Sequence, residues 1–505
     1  MKKTTSNSIK RNLTMTLSLM MTATMLASCG SGYDGSESRK SGSYNNERTT
    51  AENYRYSNVT AGDTDGTANI GGGYNTEEYN HLTENGYKLV SDEPLSTFST
   101  DVDTASYTNV RRMINDGWEV DSDAVRTEEF INYFKYDYEK PAEGAVSINT
   151  ELSDCPWNSE AKLMLVGLQA REAKVKDVPT NLVFLIDVSG SMEDEDKLPL
   201  VQQAFSMLAE NLGADDRVSI VTYAGSDSVV LEGESGDNSD EIVSALNSLS
   251  AGGSTAGAAG ITSAYKLAEE YFIEGGNNRV ILATDGDLNV GLSSEEELTD
   301  LISQKRDSGV YLSVLGFGSG NYKDNRLEAL ADNGNGNYAY IDSVDEAKRV
   351  LVTEMSGTLF TVAKDAGDIG SGQQVTVLYE IVPNNGNEKS LKYQDNESKV
   401  AETSELSGEM LTVSVRYKDP EASESKLIDK SVMCSDYTEA VSQNFANACS
   451  AAEFAMVLRN SDYASGLTAQ GVVDYMEQNN VDNSELFELI YKYMQNGTGS
   501  EASYW

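Results

Sequence analysis

Between residues 181 and 359, continuous apolar runs alternate with amphipathic segments, and this alternation constrains the fold more than any other feature of the chain. The runs cover 182–186, 217–223, 279–284, 310–317 and 337–341, with 228–231 expected at an edge. Helices are expected over 198–212, 240–249, 256–272, 295–306 (capped by Ser294) and 325–331. Strands that are apolar throughout are covered on both faces, which implies a mainly parallel sheet between two helical layers, a Rossmann-like α/β fold. Ligands of such sheets collect at the carboxyl ends of the strands.

The conspicuous polar residues fall at those ends. The first run leads into Asp187, Ser189 and Ser191, the run 279–284 leads into Asp285, and Gly252-Gly253-Ser254-Thr255 opens the helix expected at 256. Separate segments thereby deliver hydroxyl and carboxylate oxygens to one sheet edge. These hard donors suit Mg2+ best, with Mn2+ and Ca2+ as alternatives, rather than zinc. Neutral hydroxyls leave a divalent ion only partly neutralised, so it keeps affinity for an incoming Asp or Glu carboxylate. The acids from Glu193 to Asp196 read as a solvated helix start rather than a second cation site.

Composition removes whole classes of function. The single histidine, His81, lies in an expected linker and can furnish neither the base of a Ser or Cys nucleophile nor the two or three ligands of a catalytic zinc. A formal charge of -43, from 81 acids against 38 bases, repels phosphate backbones, so nucleic acid is not an expected partner. No separate catalytic constellation stands out, and the chain is read as a non-enzyme. A metal- or carboxylate-dependent hydrolase is the weakest alternative. Cys434 and Cys449 are close enough in sequence to pair after export, with buried free thiols as the other reading.

The amino terminus reads as an export signal. Lys2, Lys3, Lys10 and Arg11 precede an apolar stretch over 13–27 that is too short to span a bilayer comfortably. It ends in Leu26-Ala27-Ser28-Cys29-Gly30, which resembles a lipobox. That resemblance implies cleavage before Cys29, diacylation of its thiol and a durable membrane anchor at the cell envelope. Residues 30–85 carry Gly, Ser, Asn, Thr and Tyr without apolar periodicity, and a flexible tether of roughly 60 residues has an r.m.s. span of about 40 Å. The expected organisation is a signal peptide over 1–28, a disordered linker over 29–86, an N-terminal accessory region over 87–176, the α/β domain over 177–360 and a C-terminal accessory region over 361–505.

In the flanking regions, Asp103 is expected to cap a helix over 104–116, and a second helix over 124–134 buries Phe130 and Phe134. Asp101 and Asp103 are better explained by capping and turn chemistry than by a cation. Alternating strands near Val146, Leu165, Val377 and Val413 are expected to pair in one discontinuous β-sandwich, with the α/β domain inserted into it. Helices over 442–459 and 484–495 finish the chain.

The DxSxS element of Asp187, Ser189 and Ser191, with Thr255 and Asp285, resembles the metal-ion-dependent adhesion site of the von Willebrand factor A (VWA) fold. The resemblance implies that Ser189, Ser191 and Thr255 contact the ion directly or through water, while Asp187 and Asp285 act partly through bridging waters and hydrogen bonds. Strings outside the site, among them Cys155-Pro156-Trp157-Asn158, Ala366-Gly367-Asp368-Ile369-Gly370 and Tyr379-Glu380-Ile381-Val382-Pro383, are similar to the YfbK-type family of bacterial VWA lipoproteins. That family typically carries a further strand-rich segment where Asp365 and Ala366 are adjacent here, and a histidine near Gln373 that is absent. The expected function is binding of a protein partner through its Asp or Glu carboxylate, for adhesion or complex assembly. The alternative is a structural envelope protein whose metal only stabilises a loop.

Overall fold

The computed structural model describes residues 76–98, 100, 103–172, 178–253, 257–286, 295–354, 361–363, 369–383, 408–418 and 424–499. Helices α1 (Ala105–Asp116) and α2 (Thr127–Tyr133) precede the antiparallel strands β1 (Val146–Asp154) and β2 (Lys162–Ala170). Asp103 does not cap α1 as expected. Thr104 holds the cap position without a side-chain bond to the helix N–H groups, and the Asp103 carboxylate instead accepts from the Tyr338 backbone N–H at 2.8 Å. Asp101 lies outside the described residues.

The α/β domain follows the expected alternation. In chain order it comprises β3 (Thr180–Asp187), α3 (Leu198–Ala209), β4 (Arg217–Ala224), β5 (Ser226–Ser235), α4 (Ser239–Asn247) and α5 (Gly257–Glu270). Then come β6 (Asn277–Thr284), α6 (Glu295–Asp307), β7 (Val310–Phe317), α7 (Asp324–Asn333), β8 (Tyr338–Ile341) and α8 (Val344–Lys348). The sheet order is β5-β4-β3-β6-β7-β8, parallel except for the edge strand β5. Successive side chains point to opposite faces, so each strand needs two covers. Leu182, Phe184 and Ile186 pack against α3 and α4, where the Phe184 and Phe205 rings stack at 4.3 Å. Val183, Leu185, Val280 and Leu282 pack against α5, α6 and α7. Ser294, the expected cap of α6, lies outside the described residues.

The chain then returns through β9 (Thr361–Ala363), β10 (Ile369–Gly370), β11 (Gln374–Ile381), β12 (Glu409–Tyr417) and β13 (Lys426–Met433). Strand β11 pairs antiparallel with β2, with Val375 opposite Leu168. The α/β domain is therefore an insertion, and the chain leaves and returns side by side: Ala170 donates to the Gln373 carbonyl at 2.9 Å. One detail differs from expectation. Strand β12 joins neither β1 nor β2 but pairs with β13 as a separate hairpin. The hairpin lies across the sheet, with Val415, Tyr417 and Val432 against Met164, Val166 and Leu168. On the other face of β2, Leu163 and Leu165 pack on α1, α2 and the C-terminal helices α9 (Gln443–Arg459), α10 (Ala469–Gln478) and α11 (Ser484–Gly499). Burial on both faces explains why 163–166 is continuously apolar. Cys155, Cys434 and Cys449 are free thiols; Cys434 is exposed and Cys449 buried, so the Cys434–Cys449 pairing is not made. Among the described residues no helix is long and apolar enough to cross a membrane.

Buried ion pairs join the inserted domain to its surroundings. Arg126, just before α2, reaches Asp324 at 2.6 Å at the start of α7 and also pairs with Glu129. Arg111 of α1 grips Asp342 through two bonds of 2.6 and 2.7 Å and also reaches Glu485 of α11. Residues 76–86 correct the expected extent of the tether, because they lie along the folded body. Glu77 pairs with Arg112 at 3.0 Å and accepts from the Gly320 N–H at 2.9 Å, and Glu78 forms an isolated parallel β-bridge with Lys323.

Candidate metal centre

Strands β3 and β6 are parallel neighbours, with Ile186 opposite Ala283, so Asp187 and Thr284 end the two strands next to each other. The Thr284 hydroxyl donates to Asp187 Oδ2 at 3.3 Å. Asp187 Oδ1 accepts from the Ser189 N–H at 2.8 Å, an Asx-turn that bends the chain over the strand end. The bend brings Ser189 Oγ and Ser191 Oγ to 3.0 Å from each other. The following loop is tied in from the other side. Gly252 donates to the Val188 carbonyl at 2.8 Å, and Gly190 donates to the Gly253 carbonyl at 3.1 Å. Thr255 itself lies outside the described residues, two positions beyond that tie.

Asp285 follows β6 directly. Its Oδ2 accepts from the Lys197 ammonium at 3.2 Å, while its Oδ1 is buried without a hydrogen-bond partner among the described residues. Gly286 holds φ at +97°, and a Cβ there would stand 2.5 Å from the Lys323 backbone nitrogen, so only glycine lets this loop close against the segment after β7. Asp187 and Ser189 are buried, whereas Gly190 and Ser191 are exposed, so the cradle opens to solvent on one side. Burial pushes the Asp187 carboxyl up to about 6, and the nearby Asp285 adds to this; the Ser189 N–H and hydroxyl and the Tyr223 hydroxyl pull it back. A carboxylate in this state gains from a cation beside it.

The donor set fits a hard divalent ion. Asp187 lies close enough to Asp285 to feel its charge, the Ser189 and Ser191 hydroxyls meet beside it, and one buried Asp285 oxygen is without a partner among the described residues. Among the described residues there is no group of three or more His, Cys, Asp or Glu side chains placed to hold a metal ion. Glu193 to Asp196 are all exposed. Sequence reasoning missed Lys197 and Thr284. Lys197 did leave a signal: it is a lone base after four acids, at the start of an apolar helix, where the helix dipole disfavours positive charge.

Three family models match the chain: von Willebrand factor over residues 73–165, von Willebrand factor type A domain over 181–353, and the C-terminal region of uncharacterized protein YfbK over 360–495. Uncharacterized protein YfbK of Escherichia coli K12 is 37% identical over 451 residues, covering 80% of this chain and 78% of its own. The chain belongs to the YfbK family of VWA proteins. Human inter-alpha-trypsin inhibitor heavy chain H3 is 32% identical over 176 residues, 33% of this chain and 20% of that one. A von Willebrand factor type A structure from Catenulispora acidiphila covers 69% of this chain and 89% of its own, at 15% identity and a TM-score of 0.39. VWA domains mediate protein–protein adhesion and often bind a divalent metal, and homologues of this YfbK-family chain are typically interaction proteins rather than enzymes.

Proposed function

We propose that the chain is a lipid-anchored protein of the cell envelope that captures a protein partner through a divalent cation, Mg2+ in preference to Mn2+ or Ca2+. Asp187, Ser189, Ser191, Thr255 and Asp285 hold the ion, and Cys29 carries the lipid. The observation that carries the reading is the buried Asp285 Oδ1, without a hydrogen-bond partner among the described residues, on the strand next to the one that leads into the paired Ser189 and Ser191 hydroxyls. When bound, the cation supplies a Lewis-acidic point at which an Asp or Glu carboxylate of the partner docks. The protein's own residues orient and exclude. Thr284 and the Ser189 N–H fix both oxygens of Asp187, so it does not swing out to satisfy the ion alone. The hydroxyls present neutral oxygens, which add no negative charge of their own to compete with the partner's carboxylate. With a formal charge of -43, the surface also favours a partner that is basic overall and offers one acid at the contact.

The test is capture of partners from envelope extracts by the full chain, with and without EDTA, beside Asp187→Ala. The expected result is a specific set of bound proteins lost in both arms and restored by Mg2+ for the wild type alone. Binding that survives both treatments contradicts the mechanism. If metal removal lowers the melting temperature and leaves capture unchanged, the ion has only a stabilising part.

A further inference from the structure

We propose that Lys197 sets the charge of the metal centre and thereby makes it selective for an anionic ligand. This deepens the reading above and rests on it. The Lys197 side chain is buried at 6% exposure, and its ammonium donates to Asp285 Oδ2 at 3.2 Å and to the Ser191 carbonyl at 2.9 Å. It therefore ties two of the site's loops together. Its stem crosses Gly318, which holds φ at +71°; a Cβ there would stand 2.3 Å from Lys197 Cε. The backbone is shaped to let the lysine through, so the ammonium's place is built and not incidental. Asp285 is divided between two duties, with Oδ2 on the lysine and Oδ1 left without a partner.

Charge decides the rest. Asp187 and Asp285 with Lys197 leave the cradle with one net negative charge. A divalent cation turns this into one net positive charge, and a single carboxylate from outside brings it to neutrality. Without Lys197 the two aspartates would already neutralise the ion, and a third carboxylate would be surplus charge in a poorly solvated place. Among the described residues, Glu193 to Asp196 just before it are exposed and screened by water and salt; Asp194 is 4.0 Å from the ammonium and 76% exposed. Lys197 thus acts as a positioning and specificity residue through Asp285.

The full chain is titrated with Mn2+ by calorimetry, and the Mn2+-saturated protein is then titrated with acetate, read by water-proton relaxation. Three proteins are compared: wild type, Lys197→Met, and Lys197→Met with Asp285→Asn, which returns the cradle to one net negative charge. Lys197→Met is expected to bind Mn2+ about tenfold more tightly and acetate about tenfold more weakly, and the double variant to recover acetate binding to within about threefold of wild type. A purely structural lysine would not produce opposite shifts for metal and anion, nor a rescue by charge. Acetate affinity unchanged in Lys197→Met, or lost equally in both variants at saturating Mn2+, overturns the proposal while leaving the metal centre standing. Failure of the wild type to bind Mn2+, or binding retained by Asp187→Ala, overturns the metal reading and this one with it. If Lys197→Met does not fold, the double variant decides alone, with wild-type-like acetate binding in support and its loss against.

Discussion

Arg126→Met lowers the stability of the folded chain by about 3–5 kcal/mol near pH 8, because it strips the cation from a cluster of buried carboxylates. Arg126 is 5% exposed at its side chain, and its partners Glu129 and Asp324 are 5% and 1% exposed, so water cannot take over from the guanidinium. Glu328 is more open and contributes less. Burial raises the Glu129 carboxyl above its ordinary value even with Arg126 beside it, and burial likewise pushes Glu328 up to about 7. Removing Arg126 raises both further. An acid whose folded value lies above its unfolded one favours the fold below the unfolded value, and that contribution is lost as pH rises through the folded value. The deficit of the variant therefore shrinks toward about pH 5, where the orphaned carboxylates take up protons. Urea denaturation across this range measures it. A deficit below about 1 kcal/mol near pH 8 would show that the junction between α2 and α7 does not depend on this cluster.

Glu453→Met has the opposite sign. Glu453 lies in α9 at 2% exposure, in the core shared by the helices and β2, and its Oε2 has no hydrogen-bond partner among the described residues. Burial alone pushes its carboxyl up to about 8 from an ordinary 4.5. Because the folded value is raised, the folded chain holds a proton that the unfolded chain releases, and stability falls between about pH 4.5 and pH 8 on this account. Methionine has a similar length and nothing to ionise. The variant gains roughly 3–5 kcal/mol near pH 8 and nothing comparable near pH 4, so its stability profile is flatter. Equal profiles for the two proteins would mean that the core accommodates an ionised Glu453.

The α/β domain was legible in the sequence because its strands are buried on both faces. The run ending at Ile186 and the Asp187 that follows stand where periodicity placed them. The insertion was legible too, since Val375 and Val377 alternate as a strand covered by two different layers. What was missed is instructive. Strand β13 buries Val432 but leaves Leu427 51% exposed, so its alternation is weak, and it turns β12 into half of a hairpin. Helix α10 carries Gly471 and only a short apolar stripe of Val472, Val473 and Met476, which becomes decisive only against α9 and α11. The tether was expected to run to residue 86 because the stretch lacks apolar periodicity, and only the fold supplies the buried Arg112 that holds Glu77. At the site, Asp187 and Asp285 at two strand ends and Thr255 at a helix start announced themselves. Lys197 stood out as a lone base after four acids, but its partner was not legible, because Asp285 lies far away in sequence and meets it only once β3 and β6 are adjacent.

The central claim is that hydroxyls and carboxylates of separate loops enclose one hard cation. Diffraction from crystals of the full chain grown with Mn2+, recorded at the manganese absorption edge, tests it most directly. The account predicts a single strong anomalous peak within bonding reach of Ser189 Oγ and Ser191 Oγ, on the side of Asp285 Oδ1, with the Thr255 hydroxyl turned toward it. Manganese bound elsewhere, with no peak in this cradle, would contradict it.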